Sequence, residues 1–175
     1  MSTLSSPSPV VFFFSILFNE DSISLDEVES LISQNFQENY SSYECQFFPM
    51  KEYYSKEMGA ENKLRRYFFF LNQKLVRDTL IDYKILSEKI EVASSLENRR
   101  VINIDPGYIT LDQVVLATGK PYSHRIYLGQ GVYAELTYSY QDSSYKTLHW
   151  TYPDYSDDET IKLFNFIRGF NLCVD

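Results

Sequence analysis

The stretch His124-Arg-Ile-Tyr-Leu-Gly-Gln-Gly-Val-Tyr-Ala-Glu-Leu136 reads as a β-hairpin and sets the class of the whole chain. Two runs, His124–Leu128 and Val132–Leu136, alternate apolar and polar residues around Gly129-Gln130-Gly131. Alternation with period two is strand geometry, because successive side chains leave a strand on opposite faces. Ile126, Leu128, Val132, Ala134 and Leu136 share one face only if the loop has an odd length. Leu128 is therefore expected opposite Val132, across a three-residue loop with Gly131 in the left-handed region. Tyr127 then faces Tyr133 and Arg125 faces Glu135 on the other side, where an opposed Arg–Glu pair contributes about 0.2–1 kcal/mol. His124 falls on the apolar side in this register.

Outward from the hairpin, further strands are expected at Val10–Phe18, Tyr43–Phe48, Arg66–Leu71, Arg100–Ile104 and Tyr145–Trp150, with the second hairpin strand running to Tyr140. Three capping boxes announce helices: Ser24-Leu-Asp-Glu27, Thr110-Leu-Asp-Gln113 and Ser156-Asp-Asp-Glu159. In each, the first side chain accepts from a free backbone N–H and the fourth reaches back. A fourth helix, about Asp78 to Leu96, carries Ile81, Ile85 and the stripe Tyr83, Leu86, Ile90, Ala93. The order is β-α-β-β-α-β, then a helix, a β meander and a final helix. It predicts an α+β fold over residues 10–175, a single domain with a ferredoxin-like split βαβ core and a C-terminal antiparallel β meander. Residues 1–9, rich in Ser and Pro, read as a disordered tail.

A chain of 175 residues is long enough for one core that buries roughly 70% of the unfolded surface. Fifteen Tyr and thirteen Phe exceed the needs of that core, so some Tyr rings are expected at the surface or lining a cleft. The net charge of −8 argues against a broad nucleic-acid surface and against an anionic membrane surface. Val10–Phe18 has nine residues, too few to span a bilayer, and no Lys or Arg precedes Lys51, so a signal peptide is not indicated. Cys45 and Cys173 have no metal-ligand spacing and read as free thiols of a cytoplasmic protein.

Four segments concentrate the polar chemistry: Tyr53-Tyr-Ser-Lys-Glu-Met-Gly59, Asn103-Ile-Asp-Pro-Gly-Tyr-Ile-Thr110, the hairpin through Glu135, and Trp150-Thr-Tyr-Pro-Asp-Tyr155. Ile102 and Ile104 point one way in a strand, so Asn103 and Asp105 point the other. Pro106-Gly107 is expected to turn the chain there, and Thr110 to open a helix whose free amides suit an anion. Asp105 either closes an Asx turn or contacts a ligand. Lys120, His124 and Arg125 add positive charge. They are either a solvated stretch, with His124 a satisfied core or edge histidine, or part of a site in which His124 works as acid or base. Tyr152 and its neighbours either plug the end of the core or stack on a ligand ring.

In their order these segments resemble the bacterial domain-of-unknown-function family 4416, over about Val10 to Arg168. Lys84 and Glu91 fit its pattern, and Glu88 departs from it, where Asn is expected. The resemblance implies no established activity, and some members carry a GTP-binding label. A standard GTPase is not supported by the residues. Thr118-Gly-Lys-Pro121 lacks the upstream glycine of a P-loop and has Pro121 in place of the Mg²⁺-ligating hydroxyl residue, and no Asn-Lys-x-Asp segment occurs.

The leading expectation is a site for a small anionic ligand, phosphorylated or nucleotide-like. Its lining would be Asn103, Asp105, Lys120, His124, Arg125, Tyr127, Tyr133, Glu135, Tyr152 and Asp154. Asp105, His124 and Glu135 are the catalytic candidates if a reaction is catalysed. Asp105, Glu135 and Asp154 are the candidate ligands for Mg²⁺, should the fold bring them together. The alternative is a non-catalytic structural or protein-interaction scaffold in which the same residues lock an aromatic-rich fold.

Overall fold

A computed structural model describes residues 3–37, 39–46, 53–59, 61–96 and 99–172. Strand β1 (Val10–Asn19) is buried along its whole length, which explains why its sequence is an unbroken apolar run. It lies between β3 (Leu64–Leu75) and β4 (Ile102–Ile109), antiparallel to both. Helices cover both of its faces. Phe12, Phe14, Ile16 and Phe18 join one core with α1 (Leu25–Asn35) and α3 (Thr79–Ala93). Val11 and Phe13 join a second core with Phe164 and Ile167 of α5 (Asp158–Leu172). Phe13, Phe68 and Phe70 pack on Phe164 with ring centroids 5.0–5.4 Å apart, in steep edge-on geometry.

Among the described residues the sheet has eight strands in the order β2-β3-β1-β4-β5-β7-β6, with β8 paired to β7 and every pair antiparallel. The remaining strands are β2 (Tyr40–Cys45), β5 (Gln113–Thr118), β6 (Arg125–Gly129), β7 (Val132–Gln141) and β8 (Ser144–Thr147). Two short helices, α2 (Tyr53–Met58) and α4 (Pro153–Ser156), complete an α+β fold. Thr3–Pro9 is exposed and has no regular structure. Phe47 and Phe48 of the expected second strand, and Cys173, lie outside the described residues. Cys45 is a half-buried free thiol, pushed up to about 11 by that burial. Among the described residues no helix is long and apolar enough to cross a membrane.

The Ser24 capping box forms as expected: Ser24 Oγ accepts the Glu27 N–H at 3.3 Å and Glu27 Oε2 accepts the Ser24 N–H at 2.8 Å. The Thr110 box does not. Thr110 Oγ1 accepts the N–H groups of Asp112 and Gln113 at 3.1 and 3.0 Å, but the chain returns as β5. A capping hydroxyl satisfies free amides of a tight turn as well as those of a helix, and the β-branched pair Val114-Val115 favours the strand. The last helix is likewise capped by Asp157, not Ser156: Asp157 Oδ2 accepts from Glu159 and Thr160 N–H.

Pro106-Gly107 is not a turn either, because β4 runs straight through it. A Cβ at Gly107 would lie 2.5 Å from Phe13 Cζ and 2.6 Å from the Val115 carbonyl, so glycine is there for close packing. In the hairpin, Arg125 opposes Glu135, Ile126 opposes Ala134 and Tyr127 opposes Tyr133. The register then shifts, and Gly129, not Leu128, pairs with Val132. The turn narrows to Gln130-Gly131, both with positive φ (52° and 80°), because that geometry matches strand twist and the extra residue is absorbed as a bulge.

Candidate functional site

The site begins with a gap in the sheet. Strands β4 and β5 pair only from Gly107 to Ile109, so Ile102–Pro106 has no strand on that side. Helix α3 takes its place. Glu91 Oε1 accepts the Ile104 N–H at 2.6 Å, and Lys84 Nζ donates to the Ile104 carbonyl at 3.3 Å. Lys84 and Glu91 are seven residues apart, two helical turns, and so share a face. Pro106 presents its nitrogen on the same side as Ile104, and there it costs no ladder bond.

A cavity of about 430 Å³ opens at this gap. Its walls include Lys84, Glu88 and Glu91 of α3, which lies on one side of the sheet. They also include Tyr152, Asp154 and Tyr155 around α4, which lies on the other. The cavity therefore passes through the plane of the sheet. Tyr54, Arg66, Arg100, Asn103, Asp105, Thr118, Lys120, Arg125, Gln130 and Glu135 complete most of the lining.

Asp105 has a side chain that is 35% exposed, with Lys84 Nζ at 3.0 Å from Oδ1. Asn103 Nδ2 donates to its Oδ2 at 2.7 Å, and Arg100 Nη1 donates to Asn103 Oδ1 at 2.8 Å. Burial opposes ionisation of Asp105, but the Lys84 ammonium and the Lys84 and Asn103 hydrogen bonds outweigh it, holding the carboxyl below its usual range. Burial has the upper hand at Glu91, whose carboxyl is held above its usual range. Burial also pushes the Tyr54 phenol up to about 12, so it remains a proton donor.

Arg125 is a hub. Its side chain is 2% exposed, and Nε donates to Glu135 Oε2 at 2.7 Å. Its Nη1 donates to the Lys120 carbonyl at 3.0 Å and to Thr118 Oγ1 at 3.4 Å, and Nη2 donates to Tyr152 Oη at 3.2 Å. The guanidinium also stacks over Tyr122, 4.3 Å from the ring centre. All three of its nitrogens are engaged, so Arg125 ties the loop after β5 to the hairpin and to α4. Glu135 Oε1 is buried without a hydrogen-bond partner among the described residues. Beneath the cavity Arg66, 4% exposed, pairs with Asp154 (Nε to Oδ2, 2.7 Å) and donates to Ser15 Oγ.

Of the residues expected in a site, Asn103, Asp105, Lys120, Arg125, Glu135, Tyr152 and Asp154 line the cavity. Three do not. His124 turns to Glu135 Oε2 at 3.0 Å and stacks on Trp150 at 4.8 Å, so it is not on the apolar side of the hairpin. Tyr127 and Tyr133 pack against each other outside the cavity, ring centres 5.1 Å apart. The expected Mg²⁺ set does not assemble. Asp105, Glu135 and Asp154 each face a different cation, and no group of three His, Cys, Asp or Glu among the described residues can hold a metal ion. The helix whose N-terminus was to receive an anion at Thr110 is absent, its residues being turn and strand. Arg66 and Arg100 are lining residues that motif reading missed, and Tyr54 lies in a segment singled out above without being placed in the expected lining. The one signal for Arg66 is a charge opening the apolar run Tyr67–Leu71.

No curated protein and no solved structure matches the chain. The chain matches a family described as a domain of unknown function, DUF4416, over residues 8–170, and it belongs to that family.

Proposed function

We propose that the cavity binds a small phosphorylated or nucleotide-like ligand. The observation that carries this is an open chamber of ligand size, about 430 Å³, with Lys84, Arg100 and Lys120 in its wall beside the rings of Tyr54 and Tyr152. A packed core does not leave such a space lined by ionised groups unless something polar fills it. The lining cations Arg66, Lys84, Arg100, Lys120 and Arg125 are matched by Glu88, Glu91, Asp105, Glu135 and Asp154. That balance favours a monophosphate over a triphosphate. We also read β1-α1-β2-β3-α3-β4 as a ferredoxin-like unit: the supporting observation is that β1 lies between β3 and β4, with β3 separating β1 from β2.

The structural-scaffold reading has one observation in its favour, the full internal engagement of Arg125. Thermal-shift measurements separate the two. Inorganic phosphate, sugar phosphates, nucleoside 5′-monophosphates and triphosphates would be screened with and without Mg²⁺. A ligand at 100 times its Kd adds about 2.7 kcal/mol, or roughly 5–10 °C in Tm for a chain of this size. A rise of that order for monophosphates supports binding. A flat screen overturns it in favour of the scaffold.

A further inference from the structure

Resting on that reading, we infer that the ligand is bipolar, presenting a hydroxyl or ammonium donor to Asp105 and an anionic group to Arg100. Asn103 sets the two protein charges side by side. Its Nδ2 donates to the Asp105 carboxylate at 2.7 Å and its Oδ1 accepts from Arg100 at 2.8 Å. Only this orientation of the amide gives both neighbours a partner of the right kind, so the amide fixes which side is cationic. Asn103 itself is 6% exposed and has no room to swing. The two charges it holds both reach open space, with the Asp105 side chain 35% exposed and the Arg100 side chain 34%, and Arg100 Nη1 also lies 3.7 Å from Glu57 Oε2.

Asp105 accepts one hydrogen bond on each oxygen, from Lys84 and from Asn103. A carboxylate offers about four acceptor positions, so each oxygen retains one. A bare anion placed there would meet like charge. A donor would make a charge-assisted hydrogen bond, while an anionic group about four bonds away reaches Arg100. The Arg100–Asn103–Asp105 relay thus selects for a molecule whose own charges run in the opposite sense, such as a phosphate ester with a nearby hydroxyl or amine.

The test needs only small probes on the wild-type chain: ethyl phosphate, 2-hydroxyethyl phosphate and O-phosphoethanolamine, titrated by calorimetry. The two donor-bearing esters are expected to bind at least about tenfold tighter than ethyl phosphate. In Asp105→Asn that advantage should vanish, while ethyl phosphate binds no more weakly than to the wild type, because a negative charge has left the wall. Equal affinity of all three esters for the wild type overturns the bipolar assignment while leaving phosphate-ester binding in place. An advantage that persists in folded Asp105→Asn also overturns it, since the donor is then read elsewhere. If Asp105→Asn does not fold, the wild-type comparison decides. No binding of any ester or nucleotide overturns both this assignment and the function it rests on.

Discussion

Removing the Arg125 side chain would strand Glu135. Both side chains are 2% exposed, and Glu135 Oε1 already lacks a partner among the described residues, so its other oxygen depends on Arg125 and His124. Leaving a buried charge without its partner costs about 3 kcal/mol or more. Arg125→Ala is therefore expected to lose about that much in urea unfolding. Arg125→Lys should recover only part, because an ammonium cannot reach Glu135, Tyr152 and the Lys120 carbonyl from one point. The double change Arg125→Met with Glu135→Leu should be closer to wild type than Arg125→Ala alone. A small loss for Arg125→Ala would show that the hub is not what ties the loop after β5 in place.

At the scale of the element, α3 stands in for a missing strand along β4. Glu91→Ala leaves the Ile104 N–H without an acceptor and should cost about 1–3 kcal/mol, with faster hydrogen exchange at that amide. Glu91→Gln keeps an acceptor oxygen and should retain the protection. The two also separate the charge from the hydrogen bond. Burial holds the folded Glu91 carboxyl above its ordinary 4.5, so the folded state binds this proton more tightly than the unfolded state does. Its contribution to stability is then fullest below about pH 4.5 and declines as pH rises through the folded value. The stability of wild type relative to Glu91→Gln should fall between pH 4.5 and 7, measured by urea unfolding at several pH values. A difference that does not change with pH would show that the surroundings do not raise the Glu91 carboxyl.

For the whole molecule, one sheet supplies a face to both cores, and β1 contributes side chains to each. Neither core can lose its sheet without exposing the other, so unfolding is expected to be a single transition. Trp150 is the chain's one tryptophan, and its indole donates to the Leu136 carbonyl at 2.7 Å, at the β7 end of the sheet. Its fluorescence and the far-ultraviolet circular dichroism of the whole chain should report one urea midpoint. An earlier fluorescence midpoint would mean that the hairpin and α4 side opens on its own.

Local patterns were enough for much of this molecule. The buried first strand, the capped α1, the long α3 and the facing pairs Arg125–Glu135 and Tyr127–Tyr133 follow from period, capping and turn chemistry, because the interactions that decide them lie within a few residues. Only the tertiary structure decided that Thr110 closes a hairpin and that Pro106-Gly107 continues a strand. Those outcomes depend on Val115 and Phe13, whose packing against β4 leaves no local trace. The same holds for the cavity. Asn103 and Asp105 face one way by strand parity alone, but their partners Lys84 and Arg100 come from α3 and from the chain before β4. Asp105, Glu135 and Asp154 each took a different cation, and so formed three ion pairs instead of one metal site. Which carboxylate meets which cation is settled by strand order and by the gap between β4 and β5, and these are properties of the assembled sheet.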